Sequence, residues 1–248
     1  MTQDRAGPLR VLSAGAAKGV VQALAGVFED ETGIGVDATF DSAGAVRDAF
    51  AGGAACDIVI LPAAMQETLA SQGRIDRESI AALGRVPTGV AVASADPLPS
   101  VADADALRAS LVAASALYCP DTARATAGIQ FAGVLRALGI YEASLPKLHA
   151  HPNGARAMVA LAESGARGAI GCTQISEILY TPGVTLVAPL PAPFELTTIY
   201  AVAVSSDAAS PAGARAFAAR LTGSETQALR RAAGFLELQS VNAAASAP

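Results

Sequence analysis

Four cations stand just inside what read as strand-to-helix turns. They are Lys18 after SAGAA (13–17), Arg47 in DSAGAVR (41–47), Arg124 in PDTARATAG (120–128) and Arg156 in NGAR (153–156). A cation near a helix N-terminus opposes the helix dipole, so such placement is costly unless a bound anion compensates. The turns themselves carry small residues that let a ligand approach the backbone: Ser13, Ala14, Gly15 and Ala16; Asp41, Ser42, Ala43 and Gly44; Thr126, Ala127 and Gly128; Thr173 and Gln174. Unpaired amides at helix starts accept anions, and Arg forks suit carboxylates. The pattern therefore implies a shared site for a small anion, with Asp41 available to a ligand hydroxyl. The plain alternatives are ordinary caps for the turns and solvated surface cations for the charges, with Glu163 as an ion-pair partner for Arg156.

Chemistry on a bound anion needs a group that moves protons. Lys18 is the first candidate base, with a charge clamp as its competing role. Cys172 and Cys119 end strands where a following helix can stabilise a thiolate, against the alternative of small buried apolar residues. His149 and His151 alternate on a strand end, which suits a surface loop or one acid–base group; a metal pair there lacks further ligands. Glu177 is expected on the exposed face of a short helix, with a base as its competing role, and Asp57 in CDIVILP to be structural. No GxGxxG, P-loop, HExxH or GxSxG is present. No metal and no cofactor is expected.

These residues need a scaffold, and the 248-residue chain alternates strand-like with helix-like segments. Strands are expected at 9–13, 36–40, 57–61, 85–93, 115–119, 168–171, 184–188 and 197–205. Helices are expected at 16–32, 43–52, 63–72, 103–113, 125–138, 153–165, 174–180, 210–222 and 224–234. Such alternation predicts βαβ units and a mostly parallel sheet. Two long β-rich runs, 85–94 and 195–206, interrupt the rhythm and read as crossings between two lobes. Residues 1–89 with 196–248 would form lobe I, and 90–195 lobe II. The tail 240–248 is low in complexity and reads as frayed.

Net charge is −5 and aromatic residues make up 4%, so nucleic acid is not an expected partner. No apolar stretch is long enough to cross a membrane, and the polar start MTQDRAGPLR has no leader-like segment. The expected compartment is cytoplasmic, or periplasmic if a leader was removed. Three widely spaced cysteines do not form a disulfide framework.

The segments LRVLSAGAAKGVVQALAGVFEDETG, TFDSAGAVRDAFAGGAACDIVILP, AGIQFAGVLRALGI and GAIGCTQISEIL resemble the molybdate-binding branch of type 2 periplasmic solute-binding proteins. The resemblance implies an α/β fold of two lobes, each a mixed sheet flanked by helices, joined by two hinge strands and closing on an anion. Molybdate binders of this branch use two Ser hydroxyls and a Tyr, and the aligned positions are Ala16, Ala43 and Gly171. Each missing bond to a charged ligand costs about 1.5–3 kcal/mol, which disfavours molybdate. A one-residue shift would bring Ser13 or Ser42 to the site instead.

The pattern also looks like the aconitate-isomerase-like offshoot of this fold. That likeness implies a cofactor-free isomerase moving a double bond in a di- or tricarboxylate by proton transfer. The alternative is a substrate-binding protein for an organic anion or oxyanion, partnered by an ABC transporter.

Overall fold

The computed structural model describes residues 7–238, so the 240–248 tail lies outside the described residues. Strand β1 (Leu9–Ala14) pairs in parallel with β2 (Val36–Asp41) on one side and β3 (Ile58–Pro62) on the other. Between them run helices α1 (Lys18–Thr32) and α2 (Ala43–Ala51), and α3 (Ala63–Ser71) follows β3. In α1, Val20, Val21, Leu24 and Phe28 recur at helical spacing and are buried. Gly33, at φ 72°, ends that helix in the left-handed conformation that favours glycine.

The long strand β4 (Ala81–Ala93) is the pivot of the sheet. Its first half pairs antiparallel with β9 (Thr197–Val204), which also pairs with β3. Its second half pairs antiparallel with β7 (Ile170–Gln174) and β8 (Val184–Pro189). Beyond β7 lie β5 (Leu117–Pro120) and β6 (Leu148–His151), both parallel. The two expected mixed sheets are thus one curled nine-stranded sheet whose halves share β4. At the changeover, Thr88 N donates to the Leu196 carbonyl at 2.9 Å, and Leu190 N donates to the Thr88 carbonyl at 3.0 Å.

Helices α4 (Ala104–Ala113), α5 (Thr126–Ala137), α6 (Tyr141–Ser144), α7 (Gly154–Glu163) and α8 (Ile175–Leu179) cover the second half of the sheet. Helices α9 (Pro211–Thr222) and α10 (Gln227–Ala232) complete the first half. The turn of α6 and the full strand β6 go beyond the expected elements, and β4 begins four residues earlier than expected. One core gathers residues from 9–86 and 200–235, with Phe28 and Phe217 rings 4.9 Å apart. Two further clusters gather residues between Val90 and Leu190. Short α8 straddles them: Ile175 packs into the first core and Ile178 into another. No helix among the described residues is long and apolar enough to cross a membrane.

Asp57 has the structural role expected of it. It is buried, accepts from Arg10 N at 2.8 Å and from Ala209 N at 2.6 Å, and pairs with Arg10 Nε at 3.1 Å. Burial alone would raise its pKa, but the bonds from Arg10 and Ala209 outweigh that and hold it below the usual carboxylate value.

Candidate functional site

Five helix starts meet at one small pocket where the two halves of the sheet face each other. Its lining comes from Ala14–Ala16 before α1, Asp41–Ala43 at α2, Ala125–Ala127 at α5, Asn153 and Gly154 at α7, and Gln174 and Glu177 at α8. Pro120 and Tyr200 close it. All four turns singled out by their small residues contribute, and the Asn153–Gly154 turn is a fifth. First-turn amides at α1, α2, α5 and α7 give the pocket fixed partial positive charge. The cavity has a volume of about 20 Å³. That is room for one or two waters in this closed arrangement, not for a whole tricarboxylate.

The two halves touch across the pocket. Asn153 Nδ2 donates to Asp41 Oδ1 at 3.1 Å, and the Tyr180 hydroxyl donates to the Gly15 carbonyl at 3.2 Å. A Cβ at Gly44 would lie 2.8 Å from the Arg124 carbonyl, so glycine there lets the two backbones approach. Gly128 makes a similar close approach to the Pro120 and Asp121 carbonyls, seating α5 on the end of β5.

Glu177 is the residue that sequence reasoning misplaced. It is 5% exposed and lines the pocket, whereas the expectation was the outer face of a short helix. The Thr173 hydroxyl donates to Glu177 Oε2 at 2.5 Å. Burial pushes its pKa from 4.5 up to about 7, against the pull of Thr173 and of the Gln174 and Ala155 amides. The carboxyl is fitted between two glycines. A Cβ on Gly15 would come 2.6 Å from Glu177 Oε1, and one on Gly154 would collide with Glu177 Oε2. Gln174 is 3% exposed, and its Oε1 has no hydrogen-bond partner among the described residues. Tyr200 is buried beside this group, and burial followed by the Glu177 charge raises its pKa.

The expected cluster of cations does not form. Arg47 pairs with Asp48 at 2.7 Å on the surface and does not line the pocket. Arg124 pairs with the same Asp48 at 3.2 Å, on the rim of a groove shared with His151 and Asp121. Lys18 and Arg156 line a different groove, beside Phe40 and Tyr180. Each cation finds a local partner or wall, so no four-cation cage encloses the pocket. Lys18 is accordingly a groove residue and not a base inside the pocket. Arg156 makes no ion pair with Glu163 among the described residues.

Three further expectations are corrected. Cys172 is 0% exposed in the core behind β7, and burial raises its thiol pKa well above the usual value, so it is not placed to act as a base. Ser13 is buried on β1 and donates to the Ala14 carbonyl at 2.9 Å, outside the pocket. Gly171 lies under Met158 and Leu161, because β7 turns that position into the core. Ser42 is different: it caps α2, its Oγ accepts from Ala45 N at 3.3 Å, and it lines the pocket. Ser42 thus brings a hydroxyl to the lining one residue before Ala43, and Thr126 and Tyr200 are the other hydroxyl-bearing residues there. Thr173 reaches the pocket through Glu177.

A curled mixed sheet flanked by helices, with helix termini meeting between its halves, is the architecture of periplasmic binding proteins. The molybdate-binding protein of Azotobacter vinelandii superposes with a TM-score of 0.76 at 20% identity, covering 93% of this chain and all of that one. The sulfate-binding protein SubI of Mycobacterium tuberculosis does so with a TM-score of 0.71 at 16% identity, covering 94% and 88%. The chain belongs to the bacterial extracellular solute-binding protein family, whose sequence profile matches residues 9–236. It is also 26% identical over 217 residues to an aconitate isomerase of a Pseudomonas species, covering 84% of this chain and 79% of that protein.

Proposed function

We propose that this chain is a cofactor-free isomerase that binds a small di- or tricarboxylate between two lobes and shifts a double bond within it by proton transfer. Among the described residues the lobes are 7–89 with 196–238, and 90–195, hinged where β4 and the segment before β9 cross. The observation that carries the reading is Glu177. In its ionised form a buried carboxyl repels an anionic ligand, so a site built only to hold anions is better served by a neutral donor that does not titrate near 7. A carboxyl poised near neutrality, with no cation to fix it as an anion, suits a group that takes and returns protons.

In the proposed reaction, Glu177 removes a proton from the carbon next to a substrate carboxylate. The C–H electron pair becomes the new double bond, and the old double-bond pair takes the proton at its far carbon from the Glu177 carboxylic acid. Atoms and electrons balance without an oxidant. The helix-start amides stabilise negative charge developing on the carboxylate. Similarity to the Pseudomonas aconitate isomerase supports aconitate as the substrate class. Proton NMR of cis- and trans-aconitate incubated with the protein tests this: the two should interconvert, and their stability over hours at high protein concentration would refute it.

A second reading is a receptor for an organic anion or oxyanion, partnered by a transporter. The family match and the molybdate- and sulfate-binding neighbours favour it. Tight anion binding without turnover would select it. A periplasmic location would accompany that reading.

A further inference from the structure

We infer that the groove holding Lys18 and Arg156 is a second carboxylate subsite, so that the ligand reaches from the central pocket into this groove. The inference deepens the isomerase reading by fixing which end of the polycarboxylate is held, and by what. In this closed arrangement the central pocket has no room for a whole tricarboxylate, and a ligand of that size would extend from it. Two grooves adjoin it. One shares Gly15, Asp41 and Asn153 with the pocket and has a volume of about 410 Å³. The other shares Asp41 and Ser42 and has about 420 Å³.

Charge separates the two. The second groove is lined by Asp41 and by Asp121, whose Oδ1 accepts from Ala123 N and Arg124 N, and its one arginine, Arg124, is already engaged by Asp48. In the first groove Lys18 and Arg156 make no ion pair among the described residues. Lys18 Nζ stands 5.6 Å from the Tyr180 ring centre and 6.0 Å from that of Phe40. Those rings steady the ammonium without cancelling its charge. Asp41 is the groove's acidic member, and its Oδ1 already accepts from Ser42 N and Asn153 Nδ2. Two uncompensated cations over an apolar wall of Phe40 and Val159 match a carboxylate on a short carbon chain.

The test uses tricarballylate, a saturated tricarboxylate with no double bond to move, so its binding is independent of turnover. Calorimetry with the full chain should show affinity falling about tenfold in Lys18→Met and again in Arg156→Met, with unchanged melting temperatures. Equal affinity in wild type and both variants would overturn the subsite. So would a loss in Arg124→Met as large as that in Lys18→Met, because it would place the ligand in the other groove. If tricarballylate binding depends on Lys18 and Arg156 while the aconitates do not interconvert, the subsite stands and the isomerase reading falls. If they interconvert with KM unchanged in both variants, the reverse holds.

Discussion

The Thr173 hydroxyl donates to Glu177 Oε2 at 2.5 Å, inside a pocket framed by helix N-termini. Thr173 is the penultimate residue of β7, in the second half of the sheet, and Glu177 lies one helical turn later, on the short helix that packs into both halves. The pair sets a proton-carrying group against the seam that a ligand must enter.

That placement makes stability depend on pH in a defined direction. The folded carboxyl keeps its proton up to about 7, while the unfolded one releases it near 4.5. Wild-type stability therefore falls as pH rises through this window, by at most about 3 kcal/mol. Glu177→Gln cannot ionise, so its melting temperature should gain on wild type between pH 4.5 and 7 and level off above. A gap between the two curves that does not change with pH would contradict the buried, proton-bearing carboxyl.

Gly15 should be intolerant of a side chain for a functional reason. Its Cβ would meet Glu177 Oε1 at 2.6 Å, across the seam. Gly15→Ala should fold, because the crowding can be relieved by parting the halves, but closing on a ligand would cost about 1–3 kcal/mol. Titration calorimetry should show anion affinity reduced by about ten- to a hundredfold. Unaltered affinity would mean that closure does not bring these residues together.

Asn153 serves two partners, donating to Asp41 Oδ1 and accepting from Arg156 N at 3.0 Å as the cap of α7. Asn153→Ala should lose about 1 kcal/mol of stability from the cap. It should also enlarge the unliganded particle in small-angle scattering, since a bond across the seam is gone. A scattering profile identical to wild type would assign Asn153 to capping alone.

The three thiols should be inert in the folded protein. All are buried, and burial pushes the pKa of Cys56 and of Cys119 up to about 12 and that of Cys172 higher. Iodoacetamide at pH 8 should label none of them until the chain unfolds, and it should leave anion binding intact. Rapid native labelling of Cys172 with loss of binding would return it to the site.

Much of the scaffold can be read from residue order, because its elements are long and regularly patterned. The burial of Val20, Val21, Leu24 and Phe28 and the stop at Gly33 follow directly from spacing. The converging turns are also legible, since small residues before a helix serve close backbone approach. The four-residue elements α6 and β6 are too short for periodicity to show. Charges are harder still. Arg124 meets Asp48 from 76 positions away, and the same Asp48 holds its neighbour Arg47, so one carboxylate engages two of the four cations expected at the pocket. Glu177 is buried by neighbours from both halves of the sheet, whereas its local sequence reads as an exposed helix face. Its best local signal is the spacing of Thr173 to Glu177, one turn apart with a donor first.

The most direct measurement is deuterium exchange into trans-aconitate in D2O, followed by NMR for wild type and Glu177→Gln side by side. The account predicts that wild type introduces deuterium at the carbons flanking the shifting double bond as the cis isomer forms. The variant should still bind the saturated tricarboxylate but exchange at least about a hundredfold more slowly, as expected when a general base is removed. Exchange in the variant at the wild-type rate would contradict the role of Glu177, and a wild type that neither takes up deuterium nor forms the cis isomer would contradict the proposed reaction.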